Sequence, residues 1–289
     1  MGSGVEGATT RHISPVVLRQ EVGRRIRLAR QAAGLTIVVA ADRLEITRSA
    51  LGRFENGIGT VSVHLLRSMM DVYDQRMDDV LDMIRQARRP GWWKRYGISD
   101  KDFVALETAA TRISNYEVNL VPGLLQTADY TRALFNSGRE KRREEWIANQ
   151  LEVRLLRQER LTDEEHPLQL DAVVHESALR NAAARPAVML GQLRHLTLIN
   201  ELPTVTLRIL PAATFSFEAT YGGFSILDFS LPGQPSICHA LHALGDERQD
   251  KSEFVEPARL RFVHLRSLAL APDESIALIE QVADELWSS

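Results

Sequence analysis

Between Leu35 and Gly57 the chain reads LTIVVAADRLEITRSALGRFENG, and its apolar spacing leaves room for little but two short helices joined by a tight turn. Thr36 is placed to cap a helix whose inward residues are Val39, Ala40 and Leu44, the spacing of a buried stripe. Ala40 and Ala41 are small where a second helix must cross closely. Glu45 and Ile46 make the turn, Ile46 as an apolar plug, and Thr47 caps the next helix. There Ala50, Leu51 and Phe54 turn inward, which leaves Arg48, Ser49, Gly52 and Arg53 outside. A short, polar, cationic face of that kind suits an element lying in a major groove.

With these positions assigned, the stretch resembles the helix-turn-helix of the Xre family, relatives of the lambda repressor. Arg48-Ser49-Ala50-Leu51 and Arg53-Phe54-Glu55-Asn56-Gly57 carry the likeness. The resemblance implies that Thr36, Thr47, Arg48, Ser49, Gly52, Arg53 and Asn56 are the DNA-binding residues. One departure stands out: the family often has Gln-Glu at the start of the first helix, the Gln touching the DNA backbone, and here Ile37-Val38 stand there.

At 289 residues and 44% hydrophobic content, the chain is long enough for a second core. The opening MGSGVEGATTRHIS lacks the apolar core of a signal peptide and no apolar run reaches membrane-spanning length, so a cytoplasmic protein is expected. A single cysteine, Cys238, excludes an internal disulfide and a cysteine-rich zinc site. The net charge of −3 argues against a nucleic-acid binder, but its distribution argues the other way. From Val16 to Gly57, eight arginines face four acidic residues, so a cationic module sits on an acidic body.

In chain order, residues 1–14 read as a mobile N-terminus. Pro15 opens a helix to about Ala33 with Val22, Ile26, Leu28 and Ala29 inward, and Gly34 stops it. After the motif, Val61 to Tyr73 and Asp78 to Arg89 give two more helices, completing an all-α, lambda-repressor-like five-helix domain over 15–89. Residues 90–98, with Trp92, Trp93 and Tyr96, read as an aromatic joint, and 99–289 as a C-terminal sensor or partner-binding domain.

That second part mixes patterns. Helices are expected over about 124–136, 140–161 and 187–200, and at the C-terminal end, where Leu260, Val263 and Leu268, then Ile276, Ile279, Val282 and Leu286, are the apolar positions. Leu168–Val174, Val205–Leu210 and Phe224–Phe229 alternate as half-buried strands, with a further strand from Ile237. The expectation is an α+β domain with an antiparallel sheet. Tyr116-Glu117, Val121 to Tyr130, His175 to Arg180, Gln192 to Leu196 and Leu202 to Leu207 resemble a C-terminal domain of unknown function. That domain follows Xre-type motifs in regulators of high-GC Gram-positive bacteria, some described as antitoxin-like. The resemblance marks Tyr116, Glu117, Gln126, Tyr130 and Glu176 as family positions, which either line a pocket or partner groove or hold the helix-to-sheet joint together.

Catalysis is not expected. His239 and His242 lie near Cys238, but on a strand His239 faces away, and Cys238 and His242 are separated by roughly 13 Å. No phosphate-cradling glycine motif is present, and no cofactor or metal is implied. The reading is a sequence-specific transcriptional regulator binding double-stranded DNA as a homodimer, held by the C-terminal domain or by Val80, Leu81 and Ile84. The C-terminal domain binds a small partner protein encoded nearby or an effector; the alternative is an enzyme-like domain controlled by a DNA-binding anchor.

Overall fold

The computed structural model describes residues 15–88, 90–99, 102–139, 141–230 and 234–287. The expectations for residues 1–14, and the helix ends placed at Arg89 and residue 140, lie outside them. Two compact units divide between Ala109 and Ala110.

The first unit is helical: α1 Pro15–Ala32, α2 Ile37–Arg43, α3 Arg48–Glu55, α4 Val63–Tyr73 and α5 Asp78–Ala87. A 3-10 turn, Trp92–Tyr96, and a short helix α6, Phe103–Glu107, follow within the same unit. Trp93 is buried and Trp92 meets it edge-on, and Gly91 is required there because a Cβ would fall 2.2 Å from the Trp93 ring. The core joins Val22, Ile26 and Ala29 of α1 to Ala40, Ala41 and Leu44, to Leu51, to Leu66, Met69 and Tyr73 of α4, and to Val80 and Ile84 of α5. Three expectations are corrected. Leu28 and Val39 are exposed, and Ala41 takes the inward place given to Val39, because the helix rotates to bring the two alanines against α3. Val80 and Ile84 are 1% exposed and Leu81 packs on the same core, so the monomer's interior already uses the residues offered as a dimer face.

The second unit is α+β. Its strands are β1 Ala110–Glu117, β2 Gln169–His175, β3 Val205–Leu210, β4 Phe224–Phe229, β5 Ile237–His242 and β6 Gly245–Gln249. Its helices are α7 Ala128–Ser137, α8 Glu144–Gln158, α9 Ser177–Arg180, α10 Pro186–Ile199, α11 Ser252–Leu268 and α12 Pro272–Leu286. The sheet order is β3-β2-β1-β4-β5-β6. It is mixed, which corrects the antiparallel expectation: β1, β2 and β3 run parallel, and β4, β5 and β6 continue antiparallel from β1. The cause lies in the connections, since α7 with α8, and α9 with α10, are the long helical crossovers that parallel neighbours need. The apolar phase of α11 also differs from expectation: Val255, Ala258, Phe262 and Leu265 face the sheet, and Leu260 and Val263 are exposed.

The β3 edge is sealed by side chains and loop. Leu207 N donates to Asn200 Oδ1 and Ile209 N to the buried Ser275 Oγ, each at 2.9 Å, and Ile209 O accepts from Leu270 N at 2.9 Å.

Gly23 of α1 lies against the C-terminal end of α3, where a Cβ would stand 2.4 Å from Phe54 O and 2.9 Å from Glu55 O. Both neighbours are main chain and cannot swing aside. Gly23→Ala is therefore expected to destabilise the first unit by about 1–3 kcal/mol, read by chemical denaturation. Gly52→Ala is the control: its Cβ would meet only Ile37 Cδ1 at 3.6 Å, and an unchanged or slightly higher midpoint is expected because alanine favours helix.

Candidate nucleic-acid interface

The α2-turn-α3 unit is built from its caps. Thr36 Oγ1 accepts from Val39 N at 3.3 Å, and Thr47 Oγ1 from Ala50 N at 3.1 Å, so each hydroxyl closes a helix N-terminus as expected. The turn bends through Glu45, whose φ of 53° is in the left-handed region, a conformation that costs a non-glycine residue free energy. Ile46 packs on the core below it.

Leu51 anchors α3 at 0% exposure, and Phe54 packs against the same core. Arg48, Ser49 and Arg53 are exposed and Gly52 is half-buried between them, so these expected residues form one face. Thr36, Thr47 and Asn56 are exposed as well. Asn56 ends α3, and its Oδ1 accepts from the Arg27 guanidinium, which also donates to Glu55 O at 3.1 Å. Its amide NH2 is what remains for another partner.

Glu55 is 5% exposed and forms a two-pronged ion pair with Arg30: Nε to Oε1 at 2.6 Å and Nη2 to Oε2 at 3.0 Å. Arg30 Nη1 donates to Leu35 O at 2.7 Å, so one guanidinium ties α1 to the start of the motif and to its end. The pair holds Arg30 above its ordinary value, chiefly through the Glu55 hydrogen bond. Burial, and then the Glu55 carboxylate, push the Tyr73 phenol up to about 12.

This pairing reassigns the cationic face. Arg24 and Arg25 bond Glu21, Arg30 bonds Glu55, Arg27 bonds Asn56, and Arg19 donates to Ala87 O. Five of the eight arginines thus serve the fold, and Arg43, Arg48 and Arg53 are the exposed positive charges of α2 and α3. Arg43 was not among the expected residues; its place in the last turn of α2 was the available signal. The Ile37-Val38 departure divides: Ile37 packs on the core and Val38 is exposed.

In the second unit, the expected partner or ligand residues fall into separate places. Gln126 is buried, its Nε2 donating to Val121 O at 2.6 Å and its Oε1 accepting from Thr131 Oγ1 and Arg154 Nη1. Gln158 and Gln192 complete the knot by bonding Gln126 O, Leu125 O and Thr127 N at 2.7 Å each. Tyr130 is fully buried and accepts from Val121 N; burial and then the neighbouring Glu117 raise its phenol, against the pull of that amide. Glu176 bonds Arg180 Nε and Ala212 N; burial pushes its carboxyl up, but these donors hold it below the ordinary range. Tyr116 is fully buried beside Phe224, and burial pushes its phenol up to about 12. Glu117 is the exception, with a carboxyl that desolvation pushes up to about 7 against an Asn115 hydrogen bond. Gly223 lies beside it, where a Cβ would stand 2.7 Å from Glu117 Oε2 and 3.0 Å from Tyr116 O. The sequence reading missed Arg154 and Gln158, whose polar groups make the knot but whose spacing on α8 carries no distinctive mark.

Cys238 and His242 lie on β5 as expected, and His239 and His242 stand 3.8 and 3.7 Å from Asp246 and Glu247. Among the described residues, no group of three or more metal-ligating side chains is gathered, and no helix is long and apolar enough to cross a membrane.

A family model described as a helix-turn-helix domain matches residues 21–82, and one described as a domain of unknown function (DUF5753) matches residues 100–281. No curated protein and no solved structure matches the chain significantly. The helix-turn-helix domain suggests DNA binding by the first unit; the second unit's family carries no assigned function.

Two outcomes follow from these ionisable groups. Glu55→Gln leaves Arg30 buried without its counter-charge and is expected to cost about 3–5 kcal/mol, read by chemical denaturation of the full chain. Glu117 binds its proton more tightly folded than unfolded, so its contribution is favourable at low pH. It is lost as pH rises through the ordinary carboxylate range to about 7. Glu117→Gln should therefore stabilise the fold at pH 8 by an amount on the order of 2 kcal/mol, read as a higher thermal midpoint, and give little or no gain at pH 5.

Proposed function

We propose that this chain, which belongs to the family of the domain of unknown function DUF5753 and carries a helix-turn-helix domain ahead of it, is a sequence-specific DNA-binding transcriptional regulator. The observation that supports this reading most is the division of labour among the arginines. Those of α1 are spent on the fold, and Arg48 and Arg53 stand exposed on one face of α3 between two capped helix ends.

In this reading α3 enters the major groove. Arg48 and Ser49 address base edges, Gly52 allows close approach, and Arg43 and Arg53 reach phosphates. The N-termini of α2 and α3, at Thr36 and Thr47, add amide dipoles toward the backbone, and the Asn56 NH2 takes a phosphate near the helix end. One module of this size makes few contacts, so the regulator acts as a homodimer on two half-sites about 34 Å apart.

The second unit is the instructing part and binds a small partner protein or an effector; it is not an enzyme. The internal bonding of Gln126 and Glu176 supports a shape-holding role for these two, and in this reading a partner contacts other surfaces of the same unit. Co-purification from the native host tests this: a small protein recovered with the chain supports the reading. Recovery of the chain alone, with metabolite mixtures leaving its thermal midpoint unmoved, counts against it.

For DNA, Arg48→Ala is expected to cost about 1–3 kcal/mol and to relax base preference at one position of each half-site. Arg53→Ala should weaken all sequences alike and lower the salt slope by about 1. Quantitative gel shifts on selected genomic fragments check both, and an Arg48→Ala variant with unchanged affinity and preference would remove the base-reading assignment.

A further inference from the structure

We propose that β6, Gly245–Gln249, is the edge at which a second copy of this chain joins the sheet, pairing antiparallel about Glu247. The proposal rests on the dimer reading above and locates its interface.

The two sheet edges are finished differently. The outward groups of β3 are taken by Asn200, Ser275 and Leu270. On β6, Gly245 through Arg248 are exposed. Among the described residues, no hydrogen bond from outside the β5–β6 ladder reaches its main chain. A free row of amides and carbonyls is a template for another strand, and folds that do not use such an edge cover or distort it. Here β6 pairs with β5 in unbroken register from Gly245 to Gln249.

The register follows from the hairpin. Ala243 and Leu244 form a two-residue turn, so His242 and Gly245 close it as a hydrogen-bonded pair and the pairs alternate from there. The main-chain groups of Asp246 and Arg248 therefore point away from β5. When two such edges meet antiparallel about Glu247, the outward groups face each other. Asp246 then stands opposite Arg248 of the second copy, and Arg248 opposite Asp246.

Opposite charges directly across a ladder stabilise it, and like charges oppose it. The order Asp246, Glu247, Arg248 is thus complementary to its own reverse at both outward positions. Charged residues discourage a generic apolar strand from this edge while leaving it matched to a copy of itself. Glu247 meets its counterpart on the other face, a like-charge contact that opposes the pairing and that His242, its Nε2 3.7 Å from the carboxylate, offsets only when protonated; the two Asp246–Arg248 pairs outnumber it. Leu241 and Leu244, 76% and 94% exposed, border the same edge and supply apolar area for the second copy to cover.

The test is the oligomeric state of the full chain, by sedimentation equilibrium over a range of concentrations. Arg248→Asp sets like charges opposite each other twice and should raise the dimer dissociation constant about tenfold or more. Asp246→Arg combined with Arg248→Asp restores the pairing with its signs exchanged and should recover the wild-type constant. Circular dichroism checks that each variant stays folded. A dimer unmoved by Arg248→Asp, or one the double exchange fails to rescue, would place the interface elsewhere and overturn the proposal while leaving the dimer reading intact. A wild-type chain monomeric throughout overturns both.

Discussion

The Arg30–Glu55 pair is the interaction on which the first unit depends. Two charges taken out of water repay their desolvation only when geometry is good and the remaining donors are used. Here both guanidinium edges are engaged, with Leu35 O taking the third bond. The pair pins the C-terminal end of α3 and the entry to α2 on one residue of α1. Gly23 and Gly57 let the main chains meet at the same place, since a Cβ on either would collide with backbone. With its far end held, α3 presents its N-terminal half outward, where Arg48 and Ser49 stand. Glu55 belongs to the Glu-Asn-Gly run that marks the motif, and its role there is to hold α3 in place.

The second unit is held by a different economy. Its parallel half, β1 to β3, is bridged by helices, and the loop after β1 is secured by glutamines that bond main chain from three directions around Gln126. These amides do for an irregular segment what a ladder does for a strand: they satisfy groups that burial would otherwise leave unpaired. Glu117 stands apart, a carboxyl that the fold keeps largely out of water beside two tyrosines and a glycine. The open edge at β6 and the sealed edge at β3 give the sheet a direction for growth.

Much of this was legible in the residues. The caps Thr36 and Thr47, the stripe through Ala40, Leu44 and Leu51, and four of the six strands could be placed because local spacing alone decides them. β1 was not, because it is central: Ser114 and Asn115 are buried beside Ile113 and Tyr116, so the period of two disappears. β6 was not, because Gly-Asp-Glu-Arg-Gln has no apolar face to announce a strand. The parallel pairing was invisible because alternation is the same in either direction, and only the path of the chain between strands separates them.

The candidate site divides along the same line. By itself the sequence determined that α2 and α3 form a capped pair and that Arg48, Ser49 and Arg53 share the face opposite Leu51, since helical period and capping chemistry are local. Only the tertiary structure decided which arginines remain exposed for a partner. Glu55 at the end of α3 draws Arg30 of α1 into the fold and Asn56 takes Arg27, whereas Glu21 holds Arg24 and Arg25 within α1 itself, three and four residues along the same helix. The tertiary structure likewise sealed β3 and bared β6. The physical reason is that a buried carboxylate must find a cation and a buried amide an acceptor. Which ones they find depends on distances that exist only once the chain has folded.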